Sequence, residues 1–293
     1  MGKADIEKVI DRFTVHTHQL YRVLELSIRG IRHASRAVEI AEALTNWEVV
    51  RGREPPGVER DLGAVREQAE FAQGEIESGF PVLHGQAAVA LWGLLEAMIE
   101  DLVVCILSAE SGLLANEQLR RIRIPLAEYE SLDLEERMEF LVREYARQSI
   151  ADLKAGVSRF ETLLELVGMS GRVDEAVRRD LFELSRVRNV LVHRSGIADR
   201  KLCESCPWLG LKPGDQVRVT HSVYLRYSWA VGEYFIDILE RDLIRSGRPP
   251  EEAAATMRSH RPKRPPGPET DISASADCPG SKKVPDTLRE ITP

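Results

Sequence analysis

Val82-Leu-His-Gly-Gln-Ala-Ala-Val-Ala-Leu-Trp-Gly-Leu-Leu-Glu-Ala-Met-Ile-Glu-Asp-Leu-Val-Val-Cys-Ile-Leu107 is apolar almost all round when wound at 3.6 residues per turn. That pattern predicts a helix buried in the middle of a bundle, with Glu96 as the exception at its centre. The longest uncharged part, Gly85 to Leu95, gives way to Glu96, Glu100 and Asp101. It falls short of the roughly 20 apolar residues a membrane span needs, so no transmembrane helix is expected.

Working outward, residues from about Ala4 to Val49 place apolar side chains at helical spacing without proline, as one long helix or two joined ones. Arg51-Gly-Arg-Glu-Pro-Pro-Gly57 interrupts them, and a polar helix from about Val58 to Glu77 completes an N-terminal helical hairpin. On the other side, Asp133-Leu-Glu-Glu136 has capping-box spacing and opens a helix expected to end near Gly168. Another helix begins near Val173, its stripe running Val173, Val177, Leu181, Leu184 and then Arg188. Asp199 to Gln216 reads as loop, Val217 to Thr220 as a brief strand, and His221 to Ile244 as a last amphipathic helix. Beyond Ser246 lie 9 of the 15 prolines and no apolar period, which predicts a disordered tail. The fold class is all-α, with an N-terminal helical extension over 1–78, a helical domain over 79–245 and a Pro-rich tail over 246–293.

The net charge of −7 argues against a general coating of nucleic-acid affinity, although it says nothing about local patches. Four cysteines in 293 residues make no disulfide framework. The first residues carry no apolar signal region, and the chain is expected to be cytoplasmic. Of the 40 basic residues 32 are arginine, so a lone arginine carries little weight as a phosphate ligand.

One short motif does carry weight. Arg188-Asn-Val-Leu-Val-His193 follows the apolar stripe directly. An Arg followed five residues later by His is expected about 0.8 times by chance in this composition; requiring Asn beside the Arg lowers that to about 0.01. Arg188 also lies on the continuation of a buried stripe, where an unpaired guanidinium is costly unless something polar meets it. Between Arg178 and Lys201 seven basic and three acidic residues give a local net charge of +4. That is a landing place for an anionic polymer, with Arg186 and Arg194 as candidate phosphate contacts.

This segment resembles the HEPN superfamily (higher eukaryotes and prokaryotes nucleotide-binding), all-α bundles marked by an Arg, four to six residues and a His, with a polar residue after the Arg. Arg188, Asn189 and His193 match that pattern, Gly196 follows the His as it commonly does there, and Trp92-Gly-Leu-Leu-Glu96 looks like the helix that faces the motif. The resemblance covers about residues 80 to 245 and implies an HEPN-like up-and-down helical bundle. It also implies metal-independent endoribonuclease activity, a homodimer with the motifs facing each other, and service as a toxin or as a defence or stress effector. Histidine exchanges protons near neutral pH and can serve the ribose 2′-hydroxyl or the leaving 5′-oxygen; arginine stays charged and can hold phosphate oxygens as charge builds. The resemblance thus casts Arg188 and His193 as catalytic, with Asn189 and Glu96 supporting, and the product as a 2′,3′-cyclic phosphate. On an ideal helix the five-residue step separates the pair by about 140°, so either the helix distorts or ends near Val192, or the site combines two chains.

The alternative is a noncatalytic module of the same fold that binds RNA, a nucleotide or a protein such as a nucleotidyltransferase-type antitoxin. No cofactor or metal is expected: Cys203 and Cys206 are half a zinc site with nothing to complete it. Arg12 with His16 and His18 reads as a solvated helix face, His33, His84 and His221 as ordinary polar positions, and the basic run Arg258 to Arg264 as linker.

Overall fold

A computed structural model describes residues 3–51, 62–149 and 156–265. Among them run twelve α-helices: α1 (Lys3–Ala34), α2 (Ala37–Val50), α3 (Leu62–Glu77), α4 (Pro81–Ala109), α5 (Glu117–Arg120), α6 (Leu126–Ser131), α7 (Leu134–Ser149), α8 (Val157–Glu165), α9 (Glu175–His193), α10 (Arg200–Ser205), α11 (His221–Arg245) and α12 (Pro250–Arg258). The architecture is an all-α bundle. The expected strand at 217–220 does not form, and a single antiparallel bridge joins Ile197 to Gln216. No described helix is long and apolar enough to cross a membrane.

The all-round apolar helix is the axis of the bundle. α4 packs against α1, α7, α8, α9 and α11. Leu91, Leu95, Ile99, Leu102 and Ile106 are fully buried along it, and Trp92 meets Phe160 of α8 with ring centroids 5.0 Å apart. Each such side chain contributes about 1.5–3 kcal/mol through burial. The start of α4 is set by a tight turn: Gly79 and Phe80 both take left-handed backbone, the Phe80 N–H donates to the Glu75 carbonyl, and Pro81 occupies the first helical turn, where its missing N–H costs nothing.

The N-terminal segment is less separate than the sequence suggests. Ile6, Val9, Phe13 and Leu24 belong to the same hydrophobic core as α4, and Phe13 meets Phe235 of α11 at 4.7 Å. α3 packs back on both α1 and α2. Its outer face keeps Leu26 of α1, Leu44 and Trp47 of α2 and Phe71 of α3 exposed.

Two expectations fail for physical reasons. The helix predicted from Asp133 to Gly168 is described as two, α7 and α8, with 150–155 outside the described residues; α8 is entered through Gly156 at positive φ, where a Cβ would lie 2.7 Å from the Phe182 Cα. The tail predicted disordered from Ser246 instead forms α12 and a strap along α11. Its prolines Pro249 and Pro250 open a helix rather than prevent one. Arg261, expected in a solvated linker, is clamped by Glu233, Asp237 and Glu240 at 2.8–2.9 Å, and Trp229 donates to the Pro262 carbonyl. The rest of the predicted tail, 266–293, lies outside the described residues.

Candidate functional site

α9 presents the motif. Asp174 caps its start, accepting from the Ala176 and Val177 N–H groups, and Val177, Leu181, Leu184 and Val187 bury one face. The helix stays regular through His193 and ends there. Arg194 and Gly196 both donate to the Val190 carbonyl, with Ser195 and Gly196 at φ 52° and 78°. This left-handed ending satisfies carbonyls that a helix C-terminus otherwise leaves open. Gly196 has a steric reason as well, since a Cβ there lies 2.5 Å from the Gln216 amide nitrogen. The following residues are laced to 214–217, Val217 donating to Gly196 and Ala198 to Asp215.

Within this frame Arg188 is half-buried and Asn189 and His193 are exposed. The Arg188 Nη1 donates to the Asn189 side-chain oxygen at 3.2 Å, while its Nε is buried without a partner. Asn189 therefore meets the guanidinium and not the imidazole. The His193 side chain makes no hydrogen bond to any described residue. Because α9 is undistorted, Arg188 and His193 point about 140° apart with about 7.5 Å of rise between them. One chain alone does not bring them together. Arg186, Asn189 and His193, at i, i+3 and i+7, do share a stripe; Arg186 rests on the Phe182 ring and its Nε is likewise buried and unpartnered. Arg194 is exposed just past the helix end.

Glu96 corrects one expectation. Its carboxylate pairs with Arg159 of α8 at 2.6 Å and reaches neither Arg188 nor His193. It ties α4 to α8 on another side of the axis helix. Cys206 is buried, which pushes its thiol up to about 11, the reverse of what a ready metal ligand or nucleophile needs. No group of three or more His, Cys, Asp or Glu among the described residues could hold a metal ion.

The sequence reading missed the group that anchors α9. Glu183 is fully buried; it accepts from Trp208 Nε1 at 2.6 Å, from the Tyr227 hydroxyl at 2.7 Å and from Arg226 at 2.5 Å. Arg226 also bonds Asp180. Burial works against the Arg226 charge, but Glu183 outweighs it, so the guanidinium pKa rises above its ordinary value. Asp180 is pushed upward by burial in spite of Arg226. The signal was present: Asp180 and Glu183 interrupt an apolar face three residues apart. Two of the three acids in the +4 stretch are thus consumed inside, leaving its surface more basic than the sequence count.

His84 is a second missed contact. It is buried, its Nδ1 donating to the Gly79 carbonyl and its Nε2 accepting from His221 Nδ1, both at 3.1 Å. Arg12 pairs with Asp101, and His16 and His18 are solvent-exposed, as expected of a helix face. Compared with family models, curated proteins and solved structures, the chain matches none.

Proposed function

We propose that this protein is a metal-independent endoribonuclease of HEPN type, working as a homodimer in the cytoplasm. The observation that carries the reading is the end of α9: a half-buried arginine held by its neighbouring asparagine, and on the helix's last residue a solvent-exposed histidine whose side chain bonds none of the described residues, in a basic stretch. In this reading the His193 imidazole takes the proton of a ribose 2′-hydroxyl, or returns one to the 5′-oxygen, and the product carries a 2′,3′-cyclic phosphate. Arg188 binds the scissile phosphate as negative charge accumulates, with Asn189 setting its direction. Arg186, on the stripe of His193, and Arg194 contact neighbouring phosphates.

The regular helix favours a composite site, in which one protomer supplies Arg188 opposite the His193 of its partner. Val192 and Ile197, exposed on either side of His193, give that contact apolar surface. A toxin or a defence effector is the role such a reaction suits, held in check by an antitoxin partner.

The test is cleavage of a mixed RNA pool in EDTA by wild type, Arg188→Ala and His193→Ala, with product ends mapped. Loss of at least 100-fold in both variants, 2′,3′-cyclic ends from wild type and recovery of activity on mixing the two variants support the composite ribonuclease. Mixing rescues only if the two residues act across chains. A folded, dimeric wild type that leaves every RNA intact favours the noncatalytic binding module instead.

A further inference from the structure

A cleft of about 700 Å³ opens between the α3–α4 turn and the loop that follows α9, within the range of ordinary ligand pockets. It lies beside the motif. Leu191 and Ser195 line it, each two residues from His193, which keeps their Cα atoms within about 7 Å of the His193 Cα. Its flanks are apolar where Val82 and Leu191 meet it, and two opposite charges belong to it, Glu75 from α3 and Arg218 from the segment before α11.

The described residues satisfy neither charge fully, although the Val82 backbone N–H supports the Glu75 carboxylate. The Glu75 Oε2 is buried without a hydrogen-bond partner. The Arg218 guanidinium is near enough to act on that carboxylate electrostatically, yet no ion pair closes between them, and Arg218 makes no side-chain hydrogen bond among the described residues. The frame around them is held by the backbone. The bridge between Ile197 and Gln216 fixes one wall, and the Gln216 amide sits against Gly196, the one residue type that leaves it room.

We propose that this cleft binds a guanine base, Glu75 accepting from its N1–H and N2–H₂ edge and Arg218 donating to O6 and N7. Guanine alone among the four RNA bases offers both a pair of adjacent donors for a carboxylate and a pair of adjacent acceptors for a guanidinium. The other three mix donors and acceptors along the edge a carboxylate would have to meet. The apolar flanks take the ring faces, and the open side leaves room for ribose and phosphate. As a specificity pocket the cleft rests on the ribonuclease reading, with Leu191 and Ser195 of its lining standing two residues either side of His193 in the chain. As a binding site it does not.

The full-length protein is titrated by calorimetry with the 5′-monophosphates of guanosine, adenosine, cytidine and uridine. Short RNAs with and without guanosine, 2′-O-methylated throughout so that no free 2′-hydroxyl is left to attack, form a second arm. The expected result is guanosine monophosphate binding at least 10-fold more tightly than the others, with Glu75→Gln and Arg218→Met each losing 10-fold or more while unfolding at the wild-type temperature. His193→Ala keeps full guanosine binding. A guanosine-containing oligonucleotide that competes for the cleft identifies an RNA segment as the natural occupant; a cleft that takes the mononucleotide and excludes the oligonucleotide identifies a free guanine nucleotide. Four nucleotides binding alike, none binding at millimolar concentration, or both cleft variants binding as wild type overturns the proposal. RNA cleavage without guanosine binding sinks the cleft alone, and guanosine binding without cleavage sinks the ribonuclease alone.

Discussion

Replacing Glu183 with Gln tests whether the buried carboxylate holds α9, α11 and the loop after α9 together. The side chain is fully buried, and its two oxygens serve Arg226, Tyr227 and Trp208 at 2.5–2.7 Å. An amide keeps the shape and loses one acceptor. If its oxygen faces Arg226 and Tyr227, its NH₂ meets the Trp208 N–H donor to donor; if it faces Trp208, two donors on α11 are orphaned instead. One buried donor left unpaired costs about 1–3 kcal/mol, and breaking a buried ion pair from one side about 3–5 kcal/mol. Asp180 still faces Arg226 and softens the second figure, so the expected loss is about 3–4 kcal/mol. For a domain of this size that lowers Tm by roughly 6–16 °C. Urea unfolding followed by tryptophan emission reads both the stability and the release of Trp208. In a Trp208→Phe background the same Glu183→Gln change costs less, the difference being the coupling between the two side chains. A stability loss below about 1 kcal/mol with unchanged emission refutes the account.

Gly196→Ala is expected to cost about 1–3 kcal/mol, from left-handed backbone and the Gln216 overlap, whereas Gly93→Ala, mid-helix with open space at its Cβ, stabilises by about 0.5–1 kcal/mol; urea midpoints that rank the two the other way contradict the reading. Burial, with help from His221, holds His84 below the ordinary 6.5 against the opposing Gly79 hydrogen bond. The unfolded chain then binds more protons below about pH 6.5, so stability is full above that value, declines as pH falls beneath it, and levels off below the folded-state pKa. His84→Gln removes that slope in melts between pH 5 and 7, and a slope that survives unchanged assigns it elsewhere.

The helices at the heart of the bundle were legible because periodicity is a local property. α4 had to be buried, its apolar residues facing every direction, and α9 and α11 each showed one apolar stripe. Misjudged elements were those where local chemistry was overruled from a distance. A glycine opens α8 at position 156 because the chain there presses on the backbone of α9, and Pro249 to Arg261 is ordered because three carboxylates on α11 wait for one guanidinium. Neither reason can be read within a window of fifteen residues.

The same division holds at the site. Arg188, Asn189 and His193 stand out from the sequence because their types and spacing are improbable by chance, and Gly196 follows from how a helix must end. Which groups they meet is a matter of packing. Glu96 turns to Arg159 and not to the motif, Asp180 and Glu183 leave the surface to bind Arg226, and Glu75 and Arg218, 143 positions apart in the chain, arrive at one cleft. By itself the sequence determined an all-α class, a buried axis helix and the residues able to do chemistry, since each depends on side-chain type and a period of 3.6. Only the tertiary structure decided their partners and their burial, because a charge takes whatever neighbour the fold brings within a few ångströms.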